Sequence, residues 1–217
     1  MGRMGNLVVF AREPRLGRVK RRLAHDIGGV PATFWYRRQV AALLHRLRRG
    51  PWNRNLFVEP PTAVFTKAWP SGWALKGQTR GNIGYRMHRA LVSFPHGPVV
   101  LIGSDIPGVG HPHIQSAFRA LRRADLVIGP ALDGGFWLIG TSGRRQPPVL
   151  DPVRWSTEHA LTDTLACLGK RNRVVLLETL RDVDRGTDLY DERPWFSWSR
   201  RRHLGGRNES ERDIAPG

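Results

Sequence analysis

Short apolar runs rich in Val, Ile and Leu alternate along this chain with longer segments of helical periodicity. Runs of this length and composition are typical of strands that are buried on both faces. Alternation of such strands with helices predicts an α/β fold, with a mixed, mostly parallel sheet and helices on both faces. The runs lie at residues 6–11, 55–60, 99–103, 125–130, 135–140 and 173–178, with a weaker candidate at 73–78.

One of these runs departs from the parallel pattern. GFWLIG, residues 135–140, follows the run at 125–130 after only a short turn. A parallel neighbour would need a crossover of about a dozen residues or more, usually a helix. We therefore expect this strand to be displaced or antiparallel, which makes the sheet mixed.

The helical segments complete the alternation. Pro31 can lie in the first turn of the second helix, because that position needs no amide donor. We predict helices at residues 18–26, 31–49, 82–94, 114–123 and 157–169.

The length and the composition bound the domain organisation. The 217 residues fit one α/β domain or a small two-lobed one. From Trp195 onward the chain is polar and basic, so we expect a folded domain over 1–194 and a basic, flexible tail over 195–217.

Cys167 is the single cysteine, which rules out a disulfide within the chain. No apolar run reaches membrane-spanning length, and we expect a cytoplasmic protein.

The formal net charge of +17 raises the question of a polyanionic partner. Such a surface attracts nucleic acid, anionic membranes and phosphorylated molecules. The basic residues are spread along the whole chain, and no helix-turn-helix, RRM or KH pattern is present. Nucleic acid is therefore not the expected partner, and a non-enzymatic nucleic-acid-binding protein is kept as an alternative.

Acidic residues follow several of the predicted strands directly. Asp105 comes after the run at 99–103, Asp133 after the run at 125–130, and Asp182 and Asp184 after the last strand. Open α/β sheets bind ligands at the carboxyl ends of their strands. Carboxylates there can hold a divalent cation and, through it, a phosphate. For a single Asp, a turn or a helix cap remains the alternative.

The first loop, FAREPRLGRVKRRLA at residues 10–24, collects positive charge at the start of a helix. It contains Arg12, Gly17 and Lys20 among further arginines. Cations and free amide groups at a helix start bind phosphate, and glycine lets the backbone approach a ligand. The loop is neither a G-x-G-x-x-G fingerprint nor a Walker A loop. A solvated basic helix start is the alternative interpretation.

Six sequence blocks, in this order, resemble a family of bacterial glycosyltransferase-like proteins, some of them associated with arsenosugar biosynthesis genes. The resemblance covers residues 6 to about 190, and it extends to the guanylyltransferases of phospholactate and of molybdenum cofactor. It implies the single-domain nucleotide-diphospho-sugar transferase fold, GT-A. The blocks are FAREPRLGRVKRRLA, GNIGYRM, VVLIGSDIPGV, ADLVIGPALDGGFWLIG, WSTEHALTDTL and DVDRGTDL.

The resemblance also implies an activity and a cofactor. The expected protein is a metal-dependent transferase that moves a glycosyl group from a nucleotide-diphospho-sugar to a small-molecule acceptor. The alternative is a nucleotidyltransferase that couples a nucleoside triphosphate to a phosphorylated acceptor and releases pyrophosphate. Mg²⁺ or Mn²⁺ is the expected cofactor in both cases.

Residue roles follow from the same resemblance. Arg12, Gly17 and Lys20 are expected to bind the nucleotide phosphates, and Ser104 is assigned to the same nucleotide site. Asp105 and Asp184 are expected to hold the metal. Asp105 and Asp133 are the predicted catalytic residues, and Asp133 lies on the acceptor side, where it would serve as general base.

Overall fold

The computed structural model describes residues 4–147, 149–169 and 172–189. The predicted tail at 195–217, and with it the expected domain boundary, lies outside the described residues. The strands are β1 (Gly5–Arg12), β2 (Trp52–Glu59), β3 (Ala74–Gly77), β4 (Val99–Ile102), β5 (Leu126–Pro130), β6 (Phe136–Thr141) and β7 (Val174–Leu176). The helices are α1 (Arg21–Ile27), α2 (Gly29–Leu47), α3 (Ile83–Val92), α4 (His111–Ala120) and α5 (Ala160–Leu168), with short 3₁₀ helices at Pro61–Phe65 and Gly186–Leu189.

The seven described strands form one mixed sheet in the order β3-β2-β1-β4-β6-β5-β7. Strand β6 runs antiparallel to both of its neighbours, β4 and β5, whereas the other described pairs are parallel. The predicted α/β class and the antiparallel GFWLIG strand are therefore confirmed.

Side chains of successive strand residues enter two hydrophobic clusters on opposite faces of the sheet, as the pleat requires. In β1, Leu7 and Val9 belong to the cluster that contains α2 and α4. Val8 and Phe10 belong to the cluster that contains α3 and α5. Helices thus cover both faces, and the central strands are buried on both sides, which explains their continuous apolar runs.

A third, smaller cluster fixes the segment that follows the last strand. Val183 and Leu189 pack there against Leu23 of α1 and Ala32 of α2. Val183 is almost fully buried, and its amide donates to the Asp105 carbonyl at 3.4 Å. The segment around Val183 is therefore held against α1 and the β4 end, although it lies far from both in sequence.

Strand direction decides which loops share an edge of the sheet. The parallel strands β1, β2 and β4 end at the same edge. The turn between β5 and β6 lies there too, because β6 runs antiparallel to β4 and so begins at the edge where β4 ends. Residues that follow β1, β2, β4, β5 and β7 are therefore brought to one side of the molecule. That edge carries the charged side chains that the sequence places after the strands.

Several element boundaries differ from the sequence-based prediction. Helix α1 begins at Arg21 rather than near residue 18, because Lys20 adopts a left-handed conformation with φ 47°. Helix α4 begins three residues earlier than predicted, since Pro112 suits a first turn and His113 Nδ1 accepts from the Gly110 amide at 3.0 Å. Strand β2 begins at Trp52 rather than at residue 55, because its pairing with β1 starts there.

No helix in the described part of the chain is both long and apolar enough to span a membrane.

Substitution Gly129→Ala tests the packing of β5 against β6. A Cβ at Gly129 would meet the indole ring of Trp137, which is buried and donates to the Glu178 carbonyl at 3.1 Å. Such overpacking costs about 1–3 kcal/mol. We expect Gly129→Ala to lower the urea unfolding midpoint, measured by circular dichroism.

Gly108→Ala is the matched control, because a Cβ there meets no atom within 4 Å. It is expected to leave the unfolding midpoint close to that of the original chain. Equal midpoints for the two variants would contradict the packing described for Trp137.

Candidate active site

A cleft of about 660 Å³ opens at the edge of the sheet where β1 and β4 end. Acidic, basic and apolar side chains all line it, and they come from segments spread along most of the chain. The carboxylates are Glu59, Asp105, Asp133, Glu158, Asp182 and Asp184; the cations include Arg12, Lys20, Arg22 and Arg86; the apolar surface includes Phe10, Ile83, Met87, Leu101 and Phe136.

The residues predicted from the sequence are largely brought together here. Arg12, Lys20 and Ser104 line the cleft, as do Asp105, Asp133 and Asp184. Gly17 does not belong to the lining; it lies in the exposed part of the first loop with φ 72°. The placement supports a shared site, whereas the role of each residue stays a prediction.

Lys20 joins two of the carboxylates. Its Nζ donates to Asp105 Oδ2 at 3.1 Å and to Asp184 Oδ1 at 2.8 Å. The Lys20 side chain is only 7% exposed. Burial alone would lower the pKa of Lys20, but the charges of Asp105 and Asp184 outweigh it and raise the pKa to about 12. The ammonium is therefore fully charged at any physiological pH.

Asp184 has a second cationic neighbour. Arg22 Nη1 donates to Asp184 Oδ2 at 3.1 Å, and the Arg22 side chain is 62% exposed. Burial opposes ionisation of Asp184, but Lys20 and Arg22 hold its pKa below the usual value. Asp188 Oδ2 accepts from the amides of Asp184 and Arg185 at 2.9 and 2.7 Å, which fixes the backbone of this loop.

Asp182 lies in the same cleft in a less compensated environment. The sequence places Asp182 and Asp184 at alternate positions, and the buried Val183 between them faces the third hydrophobic cluster. Burial first, and then repulsion from Asp133, Asp184 and Asp105, raise the pKa of Asp182 to about 6. The cleft thus carries more negative charge than its cations neutralise around this carboxyl.

A buried hydroxyl pair connects the ends of β1 and β4. The Tyr36 hydroxyl accepts from the Arg12 amide at 2.9 Å and lies 3.0 Å from Ser104 Oγ. Tyr36 is almost fully buried, and burial raises its pKa. Ser104, which is 5% exposed, lines the cleft with its hydroxyl bonded to Tyr36. Tyr36 was not predicted, because on the sequence it is one more aromatic residue on the apolar face of α2.

A second network borders the cleft beyond β2. Glu59 Oε2 accepts from Arg12 Nε at 2.7 Å and pairs with Arg86 Nη1 at 3.0 Å. Arg86 Nη1 also donates to Gln78 Oε1 at 3.0 Å, and Gln78 Nε2 donates to the Phe57 carbonyl at 2.9 Å. Sequence reasoning missed Glu59, although it ends a strand just as Asp105 follows one. Among the described residues, Arg86 Nε is buried and has no hydrogen-bond partner.

The turn between β5 and β6 forms another wall. Asp133 Oδ1 accepts from the Gly135 amide at 2.9 Å, so the turn role of this Asp and its place in the cleft coexist. Gly134 has φ 82°, and a side chain there would collide with the Glu158 backbone. The Leu161 amide donates to the Gly134 carbonyl at 2.9 Å. The segment containing Ser156 therefore packs directly on this turn.

Strained backbone is concentrated at the same cleft. In residues 4–147, 149–169 and 172–189, the non-glycine residues with positive φ are Lys20 at 47° and Ser156 at 63°. Both line the cleft. Such conformations cost about 1–3 kcal/mol each and persist where surrounding contacts enforce them, often at functional sites.

Two carboxylates of the cleft can bind a divalent metal ion if a phosphate ligand and waters complete its coordination. Over the described residues, no group of three or more His, Cys, Asp or Glu side chains forms a metal site by itself. Asp105 and Asp184 provide oxygen donors, and Mg²⁺ is often bound by one or two carboxylates together with waters and substrate phosphates. The unneutralised charge around Asp182 also favours a cation. The donor set therefore suits Mg²⁺ or Mn²⁺ that arrives with a phosphate ligand.

Comparisons with known proteins agree with the fold. A family model described as "Uncharacterized protein conserved in bacteria (DUF2064)" matches residues 42–157. A crystal structure from Desulfovibrio desulfuricans G20, provisionally assigned as a nucleotide-diphospho-sugar transferase, is 29% identical with a TM-score of 0.80, covering 91% of this chain and 90% of that one. No curated protein matches the chain.

Two further solved structures share the fold alone. The 4-diphosphocytidyl-2C-methyl-D-erythritol synthase of Anaerococcus prevotii DSM 20548 has 8% identity and a TM-score of 0.58, over 88% of this chain and 94% of that one. Rv0371c of Mycobacterium tuberculosis H37Rv, in complex with manganese, has 14% identity and a TM-score of 0.52, over 87% and 97%. The predicted nucleotide-diphospho-sugar transferase fold is confirmed, whereas the association with arsenosugar biosynthesis stays a prediction.

Substitution Asp182→Asn tests the charge balance of the cleft. The folded-state pKa of about 6 exceeds the unfolded value near 3.9. The native state therefore loses stability as the pH rises through this interval, and the loss is complete above about pH 6. We expect Asp182→Asn to raise the free energy of unfolding at about pH 8, by at most about 3 kcal/mol before solvent screening, and to change it little near pH 4. Urea unfolding at both pH values measures this.

Asp163→Asn provides the control of opposite sign. Asp163 is bonded to Arg154, which lowers the pKa of its carboxyl, so its contribution is present above about pH 4 and lost in acid. This variant is expected to be destabilised at neutral pH. If Asp182→Asn were instead as destabilised at pH 8 as at pH 4, the repulsion assigned to Asp182 would be wrong.

Proposed function

We propose that this chain, which belongs to the DUF2064 family of bacterial proteins, is a metal-dependent transferase that uses a nucleotide-activated donor. The observation that carries the proposal is the convergence of Asp105 and Asp184 with Lys20 at one end of a cleft of about 660 Å³. Ligand clefts usually measure about 300–1,000 Å³. Carboxylates beside fixed cations match a metal–diphosphate group.

Glycosyl transfer from a nucleotide-diphospho-sugar is the favoured reaction. The support comes from the 29% identical D. desulfuricans protein, which matches nine tenths of both chains. The apolar surface of Phe10, Ile83 and Met87 beside the charged end of the cleft gives a donor both a charged and an apolar contact region.

Each charged group would have a distinct task in this reaction. Asp105 and Asp184 would hold Mg²⁺ or Mn²⁺, which neutralises charge on the departing diphosphate. Arg12 and Arg22 are more than half exposed at the mouth of the cleft, where their guanidinium groups can bond phosphate oxygens. Lys20 adds a buried charge that requires no reorganisation during transfer.

Asp133 is assigned to the acceptor. The Gly135 amide holds its Oδ1, so the carboxylate keeps one orientation at the cleft wall. We propose that Asp133 accepts the proton of the acceptor hydroxyl as that oxygen attacks the donor. The neighbouring Ser156 and Glu158 complete this wall.

Nucleotidyl transfer is the second candidate. It is supported by the number of carboxylates, because Asp182 joins Asp105 and Asp184 in the same cleft. A nucleoside triphosphate and a phosphorylated acceptor bring more negative charge than a nucleotide sugar, and a site with more than one metal ion would balance it. In this case Asp105 and Asp184 hold the metals and pyrophosphate leaves.

Calorimetry with Mn²⁺ distinguishes the two reactions. Nucleotide sugars and nucleoside triphosphates of each base are titrated into the full chain, with a single-stranded oligonucleotide as a further arm. Saturable, Mn²⁺-dependent binding of a nucleotide sugar supports glycosyl transfer, and preference for a triphosphate supports the second candidate. Binding of the oligonucleotide alone, weakening with salt, would refute both and favour the nucleic-acid alternative.

Substitution Asp105→Asn tests the metal assignment. We expect Mn²⁺-dependent nucleotide affinity to fall at least about tenfold, because the cleft loses a carboxylate ligand and even the loss of a group that only orients a ligand costs about 10–100-fold. Thermal unfolding should show that the variant remains folded, since the Asp105 side chain is 43% exposed. The matched control is Asp151→Asn, an exposed acid outside the cleft lining, which should bind like the original chain. Unchanged binding by Asp105→Asn would reject the assignment.

A further inference from the structure

The Lys20 ammonium lies between the same two carboxylates that are assigned to the metal ion. It donates to Asp105 at 3.1 Å and to Asp184 at 2.8 Å. Mg²⁺ binds carboxylate oxygens at about 2.0–2.1 Å. A divalent ion at these oxygens and an ammonium in hydrogen-bond contact with them would repel each other at close range. One cation therefore excludes the other from this pair of oxygens.

The local structure holds Lys20 in this position. Its backbone is left-handed, with φ 47° and ψ 52°, a conformation that is strained for a residue with a side chain. Its side chain is 7% exposed, and its Nζ lies 5.9 Å from the centre of the Trp35 ring. Strain and burial are tolerated because the ammonium compensates two carboxylates that would otherwise repel.

The two carboxylates that contact Lys20 can exchange their partners. Asp105 is 43% exposed and Asp184 is 33% exposed, so solvent and a ligand can reach both carboxylates. Arg22, the second partner of Asp184, is 62% exposed and can move without repacking the core. The core contact that fixes the segment comes from Val183, which does not depend on the ion pairs.

We propose that Lys20 is an internal counter-ion that competes with the divalent metal for Asp105 and Asp184. The empty site therefore has low metal affinity. A nucleotide, whose phosphates attract the ammonium, releases the carboxylates, and the metal then binds together with the nucleotide. The second step rests on the proposed function, whereas the competition itself does not.

The consequence is positive coupling between metal and nucleotide. Coupling between two ligands of one site usually changes affinities by about 5- to 150-fold, and the change is the same in both directions. Lys20 would prevent the cleft from retaining a metal ion that has no substrate to act on. It would also leave an ammonium close to the phosphates once the metal has entered.

Binding of Mn²⁺ to the full-length chain, followed by electron paramagnetic resonance, tests the competition. The variant Lys20→Met removes the charge and nearly keeps the length of the side chain. We expect it to bind Mn²⁺ alone about tenfold more tightly than the original chain. Lys67→Met is the matched control: it removes the charge of an exposed lysine that lies outside the cleft lining, and we expect a change below about threefold. Equal Mn²⁺ affinity of Lys20→Met and the original chain would overturn the proposal.

The same titration is repeated with uridine and guanosine diphosphates to separate this inference from the proposed function. In the original chain a bound nucleotide should raise Mn²⁺ affinity, and in Lys20→Met most of that gain should disappear. Tighter Mn²⁺ binding by Lys20→Met without nucleotide binding to either protein would support the competition and count against the transferase. If both chains bind nucleotide and have equal Mn²⁺ affinity, the result would support the transferase and overturn the competition.

A measurement on the unaltered chain covers the case in which Lys20→Met does not fold. The sequence contains four lysines, so nuclear magnetic resonance of a chain labelled at lysine gives few side-chain signals to assign. The Lys20 signal should move when Mg²⁺ and a nucleoside diphosphate are added together. It should move in the same direction with high Mg²⁺ alone. A Lys20 signal that stays in place under both conditions would refute the exchange.

Discussion

The direction of the central strands decides where the charges of this protein meet. Because β1 and β4 are parallel neighbours, the residues that follow them leave the sheet at one edge. Strand β6 lies between β4 and β5 and runs against both, so the turn that carries Asp133 reaches the same edge. A parallel β6 would have to begin at the opposite edge, and a crossover would replace this short turn. The cleft is thus a consequence of topology before any charged group is considered.

Collecting carboxylates at one edge creates a problem of electrostatic repulsion. At Asp182, burial first and then repulsion from three neighbouring carboxylates raise the pKa to about 6. Three other acids have cationic partners: Asp105 pairs with Lys20, Asp184 with Lys20 and Arg22, and Glu59 with Arg12 and Arg86. Apolar packing around Val183 keeps the acidic segment in place against this repulsion. Packing therefore anchors this segment, while the charge around Asp182 is incompletely balanced.

The sequence predicts the fold class and most of the residues that line the cleft, but it does not predict the bonds between those residues. Apolar runs reveal the strands, and acids after Val99–Ile102 and Leu126–Pro130 reveal the edge, because both signals depend on neighbouring residues. The start of α1 was misplaced since the left-handed backbone of Lys20 depends on distant partners. Tyr36 and Arg86 were missed for the same reason: their roles arise from bonds to residues that are remote in the chain.

The choice of lysine at position 20 has a physical meaning in a chain so rich in arginine. Only four of the 35 basic residues are lysines, yet one of them lies between the two carboxylates assigned to the metal. An arginine there would bind carboxylates with a rigid, bidentate fork, whereas an ammonium is a compact charge on a flexible stem. Of the cleft arginines, Arg12 and Arg22 are more than half exposed, which suits the phosphate binding proposed for them, whereas Arg86 is 13% exposed and pairs with Glu59. A buried ammonium neutralises the two acids and can still give way to another cation.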